Sequence, residues 1–438
     1  MKLYVKKSTL VRPAAETPRV SLWNSNLDLV MPNFHVPIIY FYRRPTAAAD
    51  FFDAAVLTAA LARVMVPFYP VAGRLKKDVN GRFEIDCNAE GALFVEAESD
   101  GRLDDFGEYF SPTSELRCLV PAVDYSLDIS AYPLLVLQVT HFKCGGVSLG
   151  VGIQHHVVDG LSGIHFMNTW SDMARGHGAP ALPPSIDRNI LRARNPPRSE
   201  FEHIEYHYPP TPASSDEDRS TTTAVSVLKL SNNQLNSLKS KFKSPDGNSS
   251  YTSYEMVAAH IWRCATTARR LAPEQETKVY IATDGRSRLL PPPPPGYFGN
   301  VVFTAAPVAA SGDIRAQPVG YAAGKIRDAL ARMDDEYMRS ALDYLELQDD
   351  VKALVRGPHT FRCPNMGITS WVRMPAYVAD FGWGGPVYVG PGMVAYEGLC
   401  YLLPPPRSAN KDGGGGLLVV ISLQKEHMEM FEELLYDI

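Results

Sequence analysis

The sequence lacks the features that mark several classes of protein. It contains no run of 18 or more apolar residues, the length that a transmembrane helix needs. The amino terminus, MKLYVKK, alternates like a strand and has no apolar signal-peptide core, so we expect no membrane insertion. The formal net charge of -5 argues against the basic surface that nucleic-acid binding requires.

Cysteine is scarce, and its positions are scattered along the chain. The six cysteines include no C-x-x-C pair, the spacing found in zinc sites and redox centres. We therefore expect reduced thiols in a cytoplasmic protein, with neither a disulfide framework nor a bound metal. The sequence also shows no apolar stripe typical of an interface, so we expect a monomer without an obligate protein partner.

The length and composition favour two globular domains of mixed α/β structure. The chain has 438 residues, of which 45% are hydrophobic and 21% charged, and strand-like and helix-like patterns alternate in both halves. A proline-rich, polar stretch over residues 178–222 predicts a linker between domains at 1–177 and 223–438. One long amphipathic helix is expected from about Val319 to Tyr337.

Two histidines, an aspartate and a glycine lie where a predicted hairpin meets a predicted helix. The strands cover about 133–142 and 147–153, and the helix covers 161–174. A neutral imidazole is well suited to accept a proton near pH 7. The spacing of His155 and Asp159 allows the aspartate either to orient the histidine or to brace the loop. From this motif alone, a pair of structural histidines is an equally good interpretation.

A second motif, D-F-G-W-G at residues 380–384, changes that interpretation. H-x-x-x-D-G followed by D-F-G-W-G at this distance resembles the BAHD acyltransferases, plant enzymes that use acyl-CoA donors. The resemblance extends over the whole chain through residues 69–75, 284–288 and 296–300. The stretches at 11–18 and 367–371 are similar to the branch of this family that acts on hydroxycinnamoyl-CoA and shikimate or quinate.

The resemblance implies a fold and an activity. It implies two similar domains related to chloramphenicol acetyltransferase, with the active site at their interface and residues 370–400 packing into the first domain. It implies a coenzyme A thioester as co-substrate, no permanently bound cofactor, and transfer of a p-coumaroyl or caffeoyl group to a hydroxyl of shikimate, with quinate second. This reaction belongs to phenylpropanoid and lignin precursor synthesis.

Several alternatives to this activity stay open at the level of the sequence. The chain could be a related transferase for a neutral or amine acceptor, such as glycerol or a phenolic amine. It could be a metal-dependent hydrolase that uses His155, His156 and Asp159 as ligands, although their spacing differs from the common helical H-E-x-x-H arrangement. A condensation domain of a peptide synthetase and a non-catalytic acyl-CoA binder are further alternatives.

The resemblance also implies roles for single residues. His155 is the expected general base, and Asp159 is expected to pair with Arg286 of the other half. Arg356 is expected to bind the carboxylate of the acceptor, although a helix-end arginine is the alternative. Structural support of the site is expected from Asp380, Gly382, Trp383 and Gly384. Substrate contacts are expected from Thr369 and Trp371 at the acceptor, Tyr40 and Ile38 at the acyl group, and Ser253, Lys241 and Lys243 at CoA.

Overall fold

The computed structural model describes residues 1–46, 50–112, 114–207, 222–241, 251–406 and 415–438. Its strands are β1 (Leu3–Val11), β2 (Ser21–Trp23), β3 (His35–Tyr42), β4 (Arg74–Lys77), β5 (Phe83–Asp86), β6 (Ala92–Ser99), β7 (Leu135–Phe142), β8 (Val147–Gln154), β9 (Thr223–Ser231), β10 (Glu276–Asp284), β11 (Val302–Ala305), β12 (Val308–Ala310), β13 (Met366–Ser370), β14 (Tyr388–Pro391), β15 (Leu399–Leu403) and β16 (Gly416–Gln424).

The α-helices of the described residues are mostly short and amphipathic. They are α1 (Asn26–Leu29), α2 (Ala54–Val64), α3 (Ser114–Arg117), α4 (Gly160–Ala174), α5 (Asn232–Lys241), α6 (Ser253–Ala268), α7 (Ser311–Ala316), α8 (Gly320–Ala331), α9 (Asp335–Glu346), α10 (Pro358–Phe361) and α11 (Lys425–Tyr436). None of the helices in this part of the chain is long and apolar enough to cross a membrane.

The first half of the chain, residues 1–177, supplies five strands of a six-stranded sheet in the order β1-β6-β7-β8-β3-β14. The central strands β7 and β8 are buried along almost their whole length, as expected for strands covered on both faces. Helices α2 and α4 pack against each other, and the indole Nε1 of Trp170 donates to the Leu57 carbonyl at 3.1 Å. Helix α4 therefore has a rigid support.

The second half, residues 223–438, forms a larger sheet in the order β11-β10-β13-β15-β16-β9, with β12 paired to β10. Helix α6 is buried along most of its length and packs against α8 and α11. A third, small sheet has the order β2-β5-β4. The mixed α/β fold expected from the sequence is confirmed.

One strand of the second half lies in the first sheet. Strand β14 pairs antiparallel with β3, and the register places Val389 opposite Tyr40. The chain then returns to the second sheet through the loop 392–398, which leads into β15. The second half of the chain is therefore joined to the first sheet by strand pairing.

Two expectations from the sequence need correction or restriction. The prediction of a single long helix from Val319 is wrong. Asp334 caps a new helix by accepting from the Tyr337 amide, and α8 and α9 are therefore separate helices. Within the expected linker, residues 178–207 contact both halves: Arg194 pairs with the buried Asp343 on α9, and Arg188 donates to the Val157 carbonyl. Residues 208–221 lie outside the described residues.

Candidate active site

A cavity of about 550 Å³ lies between residues of the two halves. The first half contributes Phe34, Ile38 and His155 to its wall. The second half contributes the ends of β10 and β13, the segment around Arg356, and the loop after β14. Most of the wall is apolar, so the few polar groups that reach it are positioned to orient a ligand.

His155 lies directly after the buried strand β8, at the wall of this cavity. Its backbone amide donates to the Phe34 carbonyl at 3.0 Å, and its ring Nδ1 lies 3.2 Å from the Val158 carbonyl oxygen. Because a carbonyl only accepts, the hydrogen bond places the ring proton of a neutral His155 on Nδ1. The lone pair of Nε2 is then available to accept a proton from a ligand.

The surroundings of His155 also keep the ring neutral. Burial lowers the pKa of His155 below its ordinary value of 6.5, and the positive charge of Arg356 adds to this effect. Hydrogen bonds from the ring to the backbone and the negative charge of Asp159 oppose it without reversing it. At pH 7 the imidazole is therefore in the form that a general base requires.

Asp159 braces the loop and does not orient the histidine ring. Its carboxylate accepts from Arg286 through both oxygens, Oδ2 from Nη1 at 2.8 Å and Oδ1 from Nη2 at 3.0 Å. It also caps α4 by accepting from the Ser162 amide at 3.0 Å, and it accepts from the Val301 amide at 3.0 Å. The expected pair of Asp159 and Arg286 is present, and it joins the catalytic loop to the second half.

His156 points away from the cavity into the core. Its Nε2 lies 2.9 Å from the Met31 carbonyl oxygen, and its ring packs beside Phe83. The Asp159 carboxylate is thus taken by protein groups, and His156 lies outside the cavity wall, which argues against a metal site that these two residues form with His155. Among the residues described by the structure, no cluster of three or more histidine, cysteine or acidic side chains could hold a metal ion.

The D-F-G-W-G segment forms a tight turn outside the cavity wall. Asp380 Oδ1 accepts from the amides of Gly382 and Gly384 at 2.8 and 2.9 Å. Both glycines have a positive φ, +105° and +95°, which favours glycine over other residues. The indole of Trp383 packs on the ring of Phe52, with centroids 5.2 Å apart. These contacts hold the turn together, and the expected structural support of the site by this segment stays a prediction.

Arg356 is a buried cation at the cavity wall. It follows a short 3₁₀-helix, Val351–Leu354, and its residue exposure is only 9%. Its Nε and Nη2 atoms are buried and have no hydrogen-bond partner among the described residues. An arginine that stabilised the end of a helix would donate to helix carbonyls. Here the unpaired N–H groups favour binding of an anion in the cavity.

The remaining acceptor and acyl positions divide into two groups. Thr369, Trp371 and Ile38 line the cavity, and their expected contacts with the acceptor and the acyl group stay a prediction. Tyr40 does not belong to its wall: it is fully buried in the apolar core of the first half, where burial raises the pKa of its phenol. The physical reason is that β3 continues from Ile38 into this core, where Tyr42 packs on Phe52.

Of the three expected CoA positions, the two that the structure describes, Ser253 and Lys241, lie away from the cavity wall. Ser253 is the first residue of α6 and is exposed, while Thr252 caps the helix. Lys241 is the exposed last residue of α5, and Lys243 lies outside the described residues. No sequence pattern assigned a role to Asp28, Arg188 or Asn300; the Asp28 carboxylate accepts from both of the others beside the His155 loop. Asn300 is the last residue of G-Y-F-G-N (residues 296–300), one of the stretches that carry the family resemblance.

Comparison with known proteins gives a consistent result. A family model described as the Transferase family matches residues 1–438. The chain is 61% identical over 442 residues to a shikimate O-hydroxycinnamoyltransferase of Nicotiana tabacum, and the alignment covers 100% of both chains. It is 56% identical over 453 residues, again with 100% of both chains covered, to a hydroxycinnamoyl-CoA:5-hydroxyanthranilate N-hydroxycinnamoyltransferase of Avena sativa.

A solved structure supports the same fold. The crystal structure of vinorine synthase superimposes with a TM-score of 0.74, covering 98% of this chain and 96% of that chain. The sequence identity is 22%, so this likeness concerns the fold.

Proposed function

Because the chain belongs to the Transferase family of BAHD acyltransferases, which are CoA-dependent enzymes, we propose that it transfers a hydroxycinnamoyl group from CoA to a hydroxyl of shikimate, with quinate as a second acceptor. The observation that carries this proposal is that one cavity wall holds a neutral His155 and a buried Arg356, whose Nε and Nη2 have no hydrogen-bond partner among the described residues. The Arg356 guanidinium otherwise lies 5.8 Å from the centroid of the Tyr206 ring. A base and a fixed cation in one cavity suit an acceptor that has both a hydroxyl and a carboxylate.

The proposed chemistry is direct transfer within a ternary complex. Nε2 of His155 removes the proton from the acceptor hydroxyl while the hydroxyl oxygen attacks the thioester carbon. The tetrahedral intermediate carries an oxyanion, which needs a donor in a dry site, and Thr369 or Trp371 can provide an O–H or N–H. Collapse of the intermediate breaks the carbon–sulfur bond, and the imidazolium returns its proton to the CoA thiolate.

The acyl donor is proposed to lie against the apolar part of the wall. Val36, Pro37 and Ile38 form this surface at the start of β3. Ile38 has no polar group, so it offers apolar contact and no hydrogen bond to the phenol of p-coumaroyl or caffeoyl. Ser253, Lys241 and Lys243 are proposed contacts of the CoA phosphates.

The proposed setting is the cytosol of a cell that makes lignin precursors. None of the six cysteines, all of which lie in the described part of the chain, forms a disulfide, which agrees with a compartment that keeps thiols reduced. We propose that the enzyme acts as a monomer.

A second acceptor class is favoured by the oat relative, whose name specifies transfer to the nitrogen of 5-hydroxyanthranilate. That acceptor also carries a carboxylate, so Arg356 would serve it equally well. The feature that this structure selects is therefore the negative charge of the acceptor, and the choice between oxygen and nitrogen must be measured.

The test is an assay of p-coumaroyl-CoA consumption with shikimate, shikimate methyl ester, quinate, 5-hydroxyanthranilate, glycerol and tyramine. A hydrogen bond to a charged group contributes about 1.5–3 kcal/mol, so we expect Arg356→Gln to lower kcat/KM for shikimate about 10- to 100-fold. The methyl ester, which lacks the charge, should react equally well with both proteins. Faster turnover of glycerol or tyramine than shikimate, or an equal loss for all acceptors, would reject the proposal.

A further inference from the structure

The loop 155–158, which carries His155, is held in place by hydrogen bonds that its backbone carbonyl groups accept. The His155 carbonyl accepts from Asn300 Nδ2 at 2.8 Å, and the Val157 carbonyl accepts from Arg188 Nη2 at 2.6 Å. The Val158 carbonyl accepts from the His155 ring. The direction of the imidazole therefore depends on where the carbonyls of residues 155–158 are fixed.

Both of the side chains that hold this loop are anchored on one carboxylate. Asp28 Oδ1 accepts from Asn300 Nδ2 at 2.7 Å, and its Oδ2 accepts from Arg188 Nη1 at 3.0 Å. The amide and hydroxyl of Ser25 also donate to Oδ2, each at 2.7 Å. Asp28 and Asn300 have no exposed surface, and Arg188 is 4% exposed, so solvent does not compete for these bonds.

We propose that Asp28 is a positioning residue for the catalytic base. It acts through Asn300 and Arg188 and does not touch the reacting atoms. Its two partners come from distant parts of the chain, Arg188 from the segment after α4 and Asn300 from the residues before β11. Loss of the Asp28 charge would leave Arg188 buried without its counter-ion and free both donors to move. This inference rests on the proposed role of His155 as the base.

A small displacement of His155 is expected to affect turnover far more than substrate binding. Misplacing a reacting group by about 1 Å can reduce a rate about 100-fold. Asp28 does not line the cavity, so the contacts that bind CoA and the acceptor stay in place. The expected signature is a fall in kcat at nearly constant KM. A loss of folded protein would also lower the apparent kcat, but it has no effect once kcat is calculated per folded molecule.

The experiment compares Asp28→Asn and Asn300→Ala with wild type. The number of intact sites is determined by calorimetric titration with CoA, and kcat and KM are then expressed per intact site. We expect kcat to fall about 10- to 100-fold in both variants, with KM and the Kd for CoA within about twofold of wild type. Asn300→Ala leaves the Asp28–Arg188 ion pair intact, so it decides the question if Asp28→Asn fails to fold.

Asp343→Asn is the matched control. Asp343 is also a buried carboxylate that binds an arginine, Arg194, but neither residue lines the cavity. This variant should lose thermal stability and keep its kcat per site. An unchanged kcat in Asn300→Ala, or an equal fall in Asp343→Asn, would overturn the inference.

His155→Ala separates this inference from the proposed function. If His155→Ala keeps its activity, the role of the base itself is rejected. If His155→Ala is inactive while Asp28→Asn and Asn300→Ala keep full kcat, then only the positioning role is rejected.

Discussion

A single hydrogen bond decides which nitrogen of His155 can act. The Val158 carbonyl accepts the Nδ1 proton, so Nε2 remains the basic atom without help from a carboxylate. In a catalytic triad, by contrast, an acidic residue holds the imidazole. Here Asp159 has Arg286 as its partner, and the backbone takes over the orienting role. Loss of activity in an Asp159 variant would therefore not identify Asp159 as a catalytic residue.

The lowered pKa of His155 predicts the pH dependence of the reaction. Burial disfavours the imidazolium, so the ring stays neutral, and competent as a base, to a pH below 6.5. We expect kcat/KM to be constant near pH 7 and to fall at acidic pH with a midpoint below 6.5, since this ratio reports the free enzyme.

A pH profile from about 4.5 to 8 measures this midpoint, and far-ultraviolet circular dichroism at each pH controls for unfolding. The control matters because the buried His35 and His156 have a pKa of about 4 in the folded protein. Unfolding restores their ordinary pKa, so stability falls as the pH drops below about 6.5. A midpoint above 6.5 in folded protein would contradict the assignment of His155.

At the scale of elements, the start of helix α4 is fixed to the second half by an ion pair. Arg286 is held by Asp159 and Asp284, and its Nη2 also donates to the hydroxyl of Ser162. Breaking such a partly buried pair from one side leaves the other charge without its partner.

We predict that Asp159→Asn lowers the free energy of unfolding by about 3–5 kcal/mol, because Arg286 then loses a buried counter-ion. Urea unfolding, followed by circular dichroism, measures this change. Asp284→Asn is the control, since Asp284 also binds Arg286 but is more exposed, with 39% of its side chain accessible against 2% for Asp159. Equal stability of the wild type and Asp159→Asn would refute the bracing role.

Elements with a strong local pattern could be predicted from the sequence, and those that depend on distant partners could not. Strands β7 and β8 and helix α4 lie within two residues of their expected bounds, because their apolar periodicity is set by burial. The break between α8 and α9 was missed because the apolar pattern continues across it, although Asp334 is a suitable capping residue. Strand β14 has only four residues, too few for a clear pattern.

The same limit applies to the site. His155, Asp159 and Arg356 belong to recognisable stretches, and Arg356 and His155 indeed share one cavity. Asp28 and Asn300 lie 272 positions apart, and a single sequence does not indicate that such residues meet. Tyr40 was misplaced because the alternation along β3 does not reveal where the cavity ends and the core begins.

At the scale of the whole molecule, the first half does not contain all the strands of its own sheet. Strand β14 belongs to the second half in sequence and to the first sheet in space. A fragment of residues 1–207 would therefore expose the edge of β3, which β14 covers in the intact chain, and unpaired edges promote aggregation.

We predict that residues 1–207 produced alone aggregate or remain poorly folded, as measured by soluble yield and size-exclusion chromatography. The control is the full chain cut by a protease at a site introduced within residues 208–221, which retains every strand of both sheets. This nicked protein should stay assembled and active. A monomeric, well-folded fragment would show that β14 is dispensable for the first sheet.

The shared strand also limits how these enzymes can be recombined. A chimaera joined within residues 178–222 combines β3, and with it the acyl surface at Ile38, with a foreign β14. The loop that follows β14 brings Met393 and Tyr396 to the same cavity. Because β14 lies in the second half of the sequence, an exchange that keeps β14 with its partner strand β3 needs three junctions.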